Sequence, residues 1–367
     1  MPAAGGGHYN PAVSLPPILC VTGPSGSGKT TLLARLILLL SAAGLRVGAV
    51  KQCPTHLESG PAGKDSSRLA AAGARPAIAV GPGGLVVQSA SAPLPLLDLA
   101  ATLCADCDLV LVEGQKQSPH DKILVTCGSA SAAPETDLGA VRLRVTYAAN
   151  LPPGAVARDD VAAVAAWVKD WLDRRRRLAC GVVGAILVGG RSRRMGFDKA
   201  TLRLGGRPVL PRLADLLGGR LGEVWMVGRP PGDLGLPQCL RWHLDLRPGC
   251  GPLGGIATAL RVAGGDRPRA VLAVACDMPA LGGDALDLLL EQRRPDRPAS
   301  VLRHPVTGRF EPLAAVYEPQ ALEGIEKALD GGALSVTDWL ESAGAHGIDV
   351  PASLANQLIN VNTPDDL

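Results

Sequence analysis

Ile18-Leu-Cys-Val-Thr22, Gly23-Pro-Ser-Gly-Ser-Gly28 and Lys29-Thr30 follow one another near the start of the chain. The first stretch is a short apolar run, which predicts a buried strand, and the apolar periodicity from Lys29 to Ala43 predicts a helix that stops at Gly44. Residues 23–30 fit the pattern GxxxxGK[ST] and lie between a strand and a helix, as this pattern requires. The sequence therefore predicts a strand, a phosphate-binding loop and a helix.

The chemistry of this first loop follows from its residue types. Glycines let successive backbone N–H groups curl around phosphate oxygens, and the helix N-terminus adds a positive dipole end. We expect Lys29 to pair with the β- and γ-phosphates and the Thr30 hydroxyl to bind Mg²⁺. The predicted nucleotide-binding residues are Gly23, Ser25, Gly26, Ser27, Gly28, Lys29, Thr30 and Thr31.

Further strands and helices alternate along the first half of the chain. Strands are predicted at 46–50, 109–112 and 123–126, and an amphipathic helix at 161–177. Such alternation is typical of a three-layer α/β fold with a largely parallel sheet. Glu113, at the end of a predicted strand, is a candidate magnesium ligand in competition with Asp108. Four arginines at 174–177 would complement the helix dipole and lead into a solvated linker.

A second glycine-rich loop follows the predicted strand 182–188. It reads Leu187-Val188-Gly189-Gly190-Arg191-Ser-Arg-Arg194-Met-Gly-Phe-Asp-Lys199, which is not a GxxxxGK[ST] loop. A triphosphate carries several negative charges, and this loop offers cations as well as backbone N–H groups. Arg191 and Arg194 are candidates for bidentate phosphate contacts, and Lys199 for a point charge on the transferring phosphate.

A carboxylate follows another buried strand in the second half. The run 270–275 predicts this strand, Asp277 comes just after it, and Pro279 prevents its continuation. Mg²⁺ prefers one or two carboxylates together with phosphate oxygens and water, so Asp277 is the predicted magnesium ligand. Asp245 precedes Gly251-Pro-Leu-Gly-Gly255, a tight loop that opens a predicted helix at 254–262. The remaining predicted elements are a helix at 208–217 and strands at 223–227, 240–244, 299–302 and 313–317.

Length and composition set the broad class of the protein. The 367 residues suit two domains, and we predict a flexible tail over 1–16, domains over 17–173 and 182–367, and a linker over 174–181. The formal net charge of +3 is too small and too dispersed to predict a nucleic-acid-binding face. No apolar run reaches the length of a membrane span, and residues 1–17 do not resemble a signal peptide. We therefore expect a cytoplasmic protein with neither nucleic acid nor a membrane as partner.

The nine cysteines stand at irregular spacing, which does not resemble a disulfide framework. Cys104 and Cys107 form a CxxC pair that is compatible with half of a zinc site or with a redox pair. No second pair of Cys or His residues at a ligand spacing completes a zinc site. Ordinary buried thiols are the simpler interpretation of this pair.

The first half resembles the molybdopterin-guanine dinucleotide biosynthesis adapter family over about residues 17–173. The resemblance rests on the first loop together with Arg46-Val-Gly-Ala-Val-Lys51, Gly63-Lys-Asp-Ser66, Ala72-Gly-Ala74 and Leu109-Val-Leu-Val-Glu113-Gly114. It implies a GTP-binding P-loop NTPase-like domain with weak hydrolysis that assists a guanylyltransferase. The family's usual His- and Asp-rich stretch is replaced here by residues 52–58, where only His56 and Glu58 are chemically similar.

The second half resembles the molybdenum cofactor guanylyltransferase family over about residues 182–367. The motifs are LxGGxSxRMGxDK, GPLGG, Cys276-Asp-Met-Pro279, Glu311-Pro-Leu313 and Asn360-Val-Asn-Thr-Pro364. They imply a Rossmann-like nucleotidyltransferase domain, related to nucleotide-diphospho-sugar transferases, that joins GMP from GTP to molybdopterin and releases pyrophosphate. Nucleotide-binding positions would be Leu187, Val188, Gly189, Gly190, Arg191, Lys199, Asp245 and Asp277, with Lys199, Arg194 and Asp277 catalytic.

Two departures and two alternatives remain at this point. Val188 stands where Ala is usual, and Gly228-Arg229 replaces the family's common Asn-Arg. The same loop type occurs in cytidylyltransferases and in other nucleotidyltransferases of this fold. A different class would be a non-catalytic GTP-binding adapter that carries molybdopterin. The resemblance also implies, as protein partners, enzymes of molybdopterin synthesis and molybdenum insertion and the apo-enzymes that receive the cofactor.

Overall fold

The computed structural model describes residues 15–51, 77–81, 84–88, 95–127, 140–147, 151–189, 199–204, 206–230 and 236–361. The strands are β1 Ile18–Thr22, β2 Val47–Lys51, β3 Ala77–Gly81, β4 Gly84–Gln88, β5 Leu109–Glu113, β6 Asp121–Cys127, β7 Val141–Tyr147, β8 Ala155–Ala157, β9 Val182–Val188, β10 Arg203–Leu204, β11 Arg207–Pro208, β12 Val224–Gly228, β13 Arg241–His243, β14 Ala270–Ala275, β15 Ala299–Arg303, β16 Phe310–Tyr317 and β17 His346–Asp349. The α-helices are α1 Lys29–Ala42, α2 Leu96–Leu103, α3 Val161–Ala179, α4 Val209–Gly218, α5 Gly251–Ala263, α6 Gly283–Glu291, α7 Ala321–Asp330 and α8 Val336–Ser342, and 3-10 helices cover Lys199–Thr201 and Ala352–Leu358. Within these ranges, no helix is both long and apolar enough to cross a membrane.

The first half is built on a six-stranded parallel sheet. Its order is β2-β5-β1-β6-β7-β8, so the strand that precedes the first glycine loop lies in the middle. Helices α1 and α3 cover one face with a buried apolar cluster, and α2 packs on the other. The predicted parallel α/β fold is confirmed, and β1 has the predicted bounds.

The second half is built on a seven-stranded mixed sheet of order β13-β12-β9-β14-β16-β15-β17. Strands β13, β12, β9 and β14 are parallel to one another, and β16 runs antiparallel to both of its neighbours. Because β9 and β14 are adjacent and parallel, their carboxyl ends meet at one edge of the sheet. Helices lie on both faces, so this half is also a three-layer α/β fold.

The two halves share one apolar core. A single cluster of buried side chains contains residues of β1, β5 and α2 together with residues of β9, α4 and α6. Gly218 allows close contact, since a Cβ there would lie 2.8 Å from a methyl carbon of Leu97. Leu15 is buried, and its N–H donates to the carbonyl of Gly222 at 2.7 Å. The predicted flexible tail over 1–16 is therefore ordered at Leu15, which packs on the second half.

A buried cluster of charged side chains joins the two halves next to this core. Asp121 of β6, Arg142 of β7 and Arg175 of α3 belong to the first half, and Arg220 and Asp287 to the second. The atoms that pair are Arg175 Nη2 and Asp121 Oδ2 at 2.5 Å, Arg220 Nε and Asp287 Oδ1 at 3.1 Å, and Arg142 Nη2 and Asp287 Oδ2 at 2.8 Å. We call these five residues the junction charge cluster.

The segment 174–181 differs from the predicted linker. Helix α3 continues to Ala179, and Arg175 is 5% exposed rather than solvated. The physical reason is that the junction charge cluster holds the Arg175 guanidinium, whereas Arg174, Arg176 and Arg177 remain at the surface. The helix therefore leads directly from one half to the other.

The two sheets have their carboxyl edges on the same side of the molecule. Residues 15–17, just before β1, and residues 181–182, at the start of β9, line one cavity of about 450 Å³, which we call the junction cavity. At the opposite edge, Gln117, in the loop after β5, accepts a hydrogen bond from Arg207 of β11. The first glycine loop and Gly189 follow central strands, so both lie toward this second edge.

Asp215 of α4 gives the junction a pH dependence that can be measured. Burial, and then the charge of Asp98 on α2, raise the pKa of Asp215 from 3.8 to about 7. The folded protein therefore has its full stability at low pH, where Asp215 is protonated, and loses part of it as the pH rises toward 7. At pH 8 we expect Asp215→Asn to increase the free energy of unfolding by about 4 kcal/mol, with no gain near pH 4.

Urea unfolding at pH 4, 6 and 8 measures this effect, with the exposed Asp173→Asn on α3 as the matched control. A gain for Asp215→Asn that is equal at all three pH values would contradict the assignment.

Candidate functional site

The first glycine loop has the backbone conformation that only glycine adopts readily. Gly26 and Gly28 have φ of 74° and 83°, in the left-handed region. Gly23 has φ of 152°, and a Cβ there would lie 2.0 Å from the carbonyl oxygen of Val125. The loop therefore curls tightly between β1 and α1, with its backbone at a helix N-terminus, which is the arrangement that binds phosphate.

The side chains of this loop are arranged around the same helix end. Lys29 Nζ donates to the carbonyl oxygen of Pro24 at 2.5 Å, so the ammonium folds back over the loop. Ser27 is buried, whereas Ser25, Thr30 and Thr31 are exposed. Lys29 is thus within the region where a phosphate would lie.

The structure separates the two acidic candidates of this half. Thr30 Oγ1 donates to Glu113 Oε2 at 2.8 Å, and Lys51 Nζ lies 3.6 Å from Glu113 Oε1. Asp108 lies at the other end of β5, where it pairs with Arg46 and Arg176. A hydroxyl and a carboxylate in contact are donor types that Mg²⁺ accepts, so Thr30 and Glu113 fit a magnesium ion at this loop.

The sequence did not indicate Arg158, whose side chain packs against the first glycine loop. Its Nη1 donates to the carbonyl of Ser27 at 3.4 Å, and its guanidinium stacks 4.9 Å from the ring centroid of Tyr147. A Cβ at Gly28 would lie 2.8 Å from that Nη1. The chain turns after β8 to bring Arg158 here, and no local motif around a single arginine could have indicated it.

The second candidate site lies at the carboxyl ends of β9 and β14. Leu187 and Val188 are buried at the end of β9, and Gly189 has φ of 131°. Gly190, Arg191 and Arg194 lie outside the described residues, so their predicted roles stay predictions. The departure at Gly228 has a steric reason, because a Cβ there would lie 1.8 Å from the carbonyl oxygen of Val188.

Lys199 and Asp277 meet at this edge. Lys199 lies in the 3-10 helix after the second loop and Asp277 just past β14, and their Nζ and Oδ2 atoms are 2.6 Å apart. Both side chains are partly exposed, 21% and 16%, so a ligand can reach them. The structure thus brings together two predicted catalytic residues that are 78 positions apart in the chain.

Asp245 presents an unused acceptor to the same region. Its Oδ1 is buried and has no hydrogen-bond partner, and burial raises the pKa of its carboxyl. A Cβ at Gly255, in the first turns of α5, would lie 3.5 Å or less from Leu187 and 3.7 Å from this Oδ1. A buried acceptor without a partner normally finds one in a ligand or water, which suits the predicted contact with a base or ribose.

Glu311 and Asn360, which the sequence analysis names only as parts of motifs, lie close to Asp277. Asn360 Nδ2 donates to Glu311 Oε2 at 2.9 Å, and the N–H of Val361 donates to the main-chain oxygen of Asp277 at 3.0 Å. Burial, with a contribution from the Asp277 charge, raises the pKa of Glu311. Hydrogen bonds therefore hold the last described residues of the chain next to Asp277, at the carboxyl end of β14.

These residues fit a magnesium ion bound mainly by substrate. Among the described residues, no group of three or more His, Cys, Asp or Glu side chains forms a complete metal site. Asp277 supplies one carboxylate and Glu311 adds negative charge nearby, which is the sparse protein contribution that Mg²⁺ accepts when phosphate oxygens and water complete its shell. His56, Glu58 and Asn362 lie outside the described residues.

Two protein families match separate parts of the chain. Residues 18–141 match the family described as molybdopterin guanine dinucleotide synthesis protein B, or MobB. Residues 184–345 match the MobA-like NTP transferase domain. The first range contains the first glycine loop and Glu113, and the second contains Lys199, Asp245 and Asp277.

Individual relatives agree with this division. A probable molybdenum cofactor guanylyltransferase of Pelotomaculum thermopropionicum is 35% identical over 189 residues, covering 50% of this chain and 89% of that protein. A molybdenum cofactor biosynthesis bifunctional protein of Synechocystis is 33% identical over 184 residues, 50% of this chain and 52% of that protein. The crystal structure of molybdopterin-guanine dinucleotide biosynthesis protein A from Archaeoglobus fulgidus is 26% identical, covers 50% of this chain and 94% of that one, and gives a TM-score of 0.42. The chain therefore belongs to the molybdenum cofactor guanylyltransferase family of nucleotidyltransferases, and it carries a MobB domain ahead of its transferase domain.

Proposed function

We propose that the second half transfers GMP from GTP to molybdopterin, forming molybdopterin guanine dinucleotide and pyrophosphate. The observation that carries this proposal is the contact of Lys199 with Asp277 at the adjacent ends of β9 and β14. A cation and a carboxylate at the edge where open α/β sheets bind ligands suit a nucleotide with its metal. The unpartnered oxygen of Asp245 supports the nucleotide part of the proposal.

The reaction needs no nucleophile from the protein. An oxygen of the terminal phosphate of molybdopterin attacks the α-phosphorus of GTP in line. The bond between this phosphorus and the oxygen that joins it to the β-phosphorus breaks, and pyrophosphate leaves. The protein's task is to hold two anions together and to stabilise the charge that develops on the phosphates. Lys199 and, by prediction, Arg191 and Arg194 supply that positive charge.

Asp277 would hold Mg²⁺ at this site. When bound, Mg²⁺ neutralises charge on the transferring phosphates and on pyrophosphate. Lys199 lies against the same carboxylate, so in the free protein its ammonium keeps the Asp277 charge paired. Binding of a metal with GTP would free Lys199 to turn toward a phosphate, which is a short movement for a flexible four-carbon side chain.

The first half is proposed to bind GTP at residues 23–31 and to hydrolyse it weakly while it assists the transferase. Support comes from the loop conformation, from the position of Lys29 and from the Thr30 and Glu113 contact. Proteins that make molybdopterin, insert molybdenum or receive the finished cofactor are the proposed protein partners. The cytoplasm is the proposed location.

One experiment tests the transfer reaction directly. The full chain is incubated with molybdopterin, Mg²⁺ and, in parallel, GTP, CTP, ATP or UTP, and the products are identified by mass spectrometry. Of the four nucleotides, we expect only GTP to give products, which should be a guanine dinucleotide and pyrophosphate. A cytosine dinucleotide would favour a cytidylyltransferase, and nucleotide binding without any pyrophosphate would favour a non-catalytic carrier.

Lys29→Ala separates the two nucleotide sites. We expect the variant to lose nucleotide binding at the first loop by about 100-fold, since two charge-assisted contacts to phosphate are removed. The transfer rate should stay within about twofold, because the Lys199 and Asp277 site is a different one. Calorimetry should count two GTP sites in the parent chain and one in the variant.

The exposed Lys169→Ala on α3 is the matched control and should leave both quantities unchanged. A Lys29→Ala protein that binds two nucleotides normally but has lost transfer would show that the two loops have been assigned to the wrong reactions.

A further inference from the structure

Cys104 and Cys107 lie in a tight turn between α2 and β5. Helix α2 ends at Leu103, and Cys104 is its C-terminal cap residue. The N–H of Cys107 donates to the carbonyl of Cys104 at 2.9 Å, which closes a four-residue turn. Such a turn brings its first and last Cα atoms within about 7 Å of each other. A disulfide usually spans Cα atoms about 4.4–6.8 Å apart, so the backbone already has a compatible shape.

The two sulfur atoms converge on one point of the neighbouring strand. A Cβ added to Gly48 of β2 would lie 2.9 Å from Cys104 Sγ and 3.2 Å from Cys107 Sγ. Both thiols therefore use the space that Gly48 leaves by lacking a side chain. Because both sulfur atoms lie within 3.2 Å of one point, rotation of the two side chains can bring them together into a disulfide.

The two thiols differ in access. Cys104 is 8% exposed, and burial, with a contribution from Cys107, raises the pKa of its thiol. Cys107 is half-buried and lines the junction cavity, whose wall also contains Arg176 and Arg269. Asp108 and Glu223 also line this cavity and pair with those two arginines, so its volume of about 450 Å³, and not an excess of charge, suits a small thiol compound. Cys107 is therefore the thiol of the pair that such a molecule reaches first, and the exposed Cys180 lines the same cavity.

We propose that Cys104 and Cys107 are a redox modification site, which forms a reversible disulfide by exchange with a low-molecular-weight disulfide that enters the junction cavity. The Cys107 thiolate attacks one sulfur of the small disulfide, and one small thiolate leaves and takes up the proton released by Cys107. The Cys104 thiolate then attacks Cys107 Sγ and displaces the second small thiol, which takes up the Cys104 proton. Two protein thiols are oxidised and one small disulfide is reduced to two thiols.

The cysteine pair is distinct from the chain's other described thiols. Cys20 is buried and contacts the Ser118 hydroxyl, and Cys127 and Cys180 are exposed without a second cysteine beside them in the sequence. Exposed single cysteines can form mixed disulfides, but they have no second cysteine close by in the sequence to displace the small thiol. This contrast supplies internal controls within one protein.

The test uses the full chain and oxidised glutathione as the probe. The reduced protein is equilibrated with mixtures of oxidised and reduced glutathione, free thiols are blocked with N-ethylmaleimide, and peptides are identified by mass spectrometry. We expect the peptide that contains both Cys104 and Cys107 to lack two hydrogens and to carry no blocking group. Dithiothreitol should restore both thiols.

Single variants identify the order of attack. Cys104→Ser should trap glutathione on Cys107, whereas Cys107→Ser should leave Cys104 reduced at the same glutathione ratio. The proposal is overturned if Cys104 and Cys107 both react with the blocking reagent at ratios where Cys127 and Cys180 already carry glutathione. It is equally overturned if either cysteine is found joined to a different cysteine of the chain.

Discussion

Asp277→Asn should reduce the rate of guanylyl transfer by about 10³-fold. A metal ligand contributes several kcal/mol of charge stabilisation to a phosphoryl-type transition state, and each 1.4 kcal/mol corresponds to about tenfold in rate. Asn has the same shape as Asp but no negative charge. The variant would therefore lose most of its hold on Mg²⁺, and Lys199 would lose the partner that lies 2.6 Å away.

The effect should fall mainly on kcat. In the proposed site the glycine loop after β9 and Asp245 also hold GTP, so the KM for GTP should rise by less than about fivefold. Steady-state rates at saturating molybdopterin, followed by pyrophosphate release, measure both constants. In a titration with Mg²⁺, the variant should need a higher Mg²⁺ concentration than the parent chain to reach half of its maximal rate.

Asp296→Asn is the matched control for this variant. Asp296 is exposed and pairs only with nearby Arg294 among the contacts described, far along the chain from the strand ends of the site. Its kcat should equal that of the parent chain. An Asp277→Asn protein with unchanged turnover would remove the metal assignment and, with it, the central support for the transfer mechanism.

The sequence predicts the parts of the fold that depend on short patterns. β1, β9 and β14 have the predicted bounds because each is a mainly apolar run, bordered at both ends by glycine or proline for β1 and β9 and preceded by Arg269 for β14. The two glycine loops are equally local. Lys199 and Asp277 could be placed at one edge because both follow predicted parallel strands, although only the structure shows that those strands are neighbours.

The sequence could not indicate polar residues that are buried by distant parts of the chain. The apolar pattern predicts a strand over 123–126, yet β6 begins at Asp121, and the charged side chains of Asp121 and Lys122 are both buried. Asp121 is paired there with Arg175 and Arg220, 54 and 99 positions away. Lys122 donates to the carbonyl of His120 at 2.9 Å. The docking of the two halves supplies Arg220, and helix α3 of the same half supplies Arg175.

Arg220→Met should lower the free energy of unfolding by about 3–5 kcal/mol, the usual cost of removing one partner of a buried ion pair. The Arg220 side chain is 1% exposed and lies within 3.3 Å of both Asp121 and Asp287. Met fills a similar volume, so the main loss is the positive charge between two carboxylates. Each carboxylate would keep Arg142 and Arg175, but the two would repel each other more strongly in a medium of low dielectric constant.

The pH dependence of this loss follows from the same contacts. Burial alone would raise the pKa of Asp121, but Arg220, Arg175 and Arg142 hold that pKa below its ordinary value. The stabilisation is therefore present above about pH 4 and is lost as the pH falls through the lower, folded-state pKa. The difference between Arg220→Met and the parent chain should be complete at pH 7 and should shrink in acid.

Arg294→Met provides the matched control, because Arg294 also pairs with an aspartate, Asp296, but both are exposed. An exposed ion pair contributes about 0–1 kcal/mol, so this variant should unfold within that range of the parent chain. Urea unfolding followed by tryptophan fluorescence measures all three proteins. If Arg220→Met matched Arg294→Met, the junction charge cluster would contribute little to stability, and the docking of the two halves would have to depend on the shared apolar core alone.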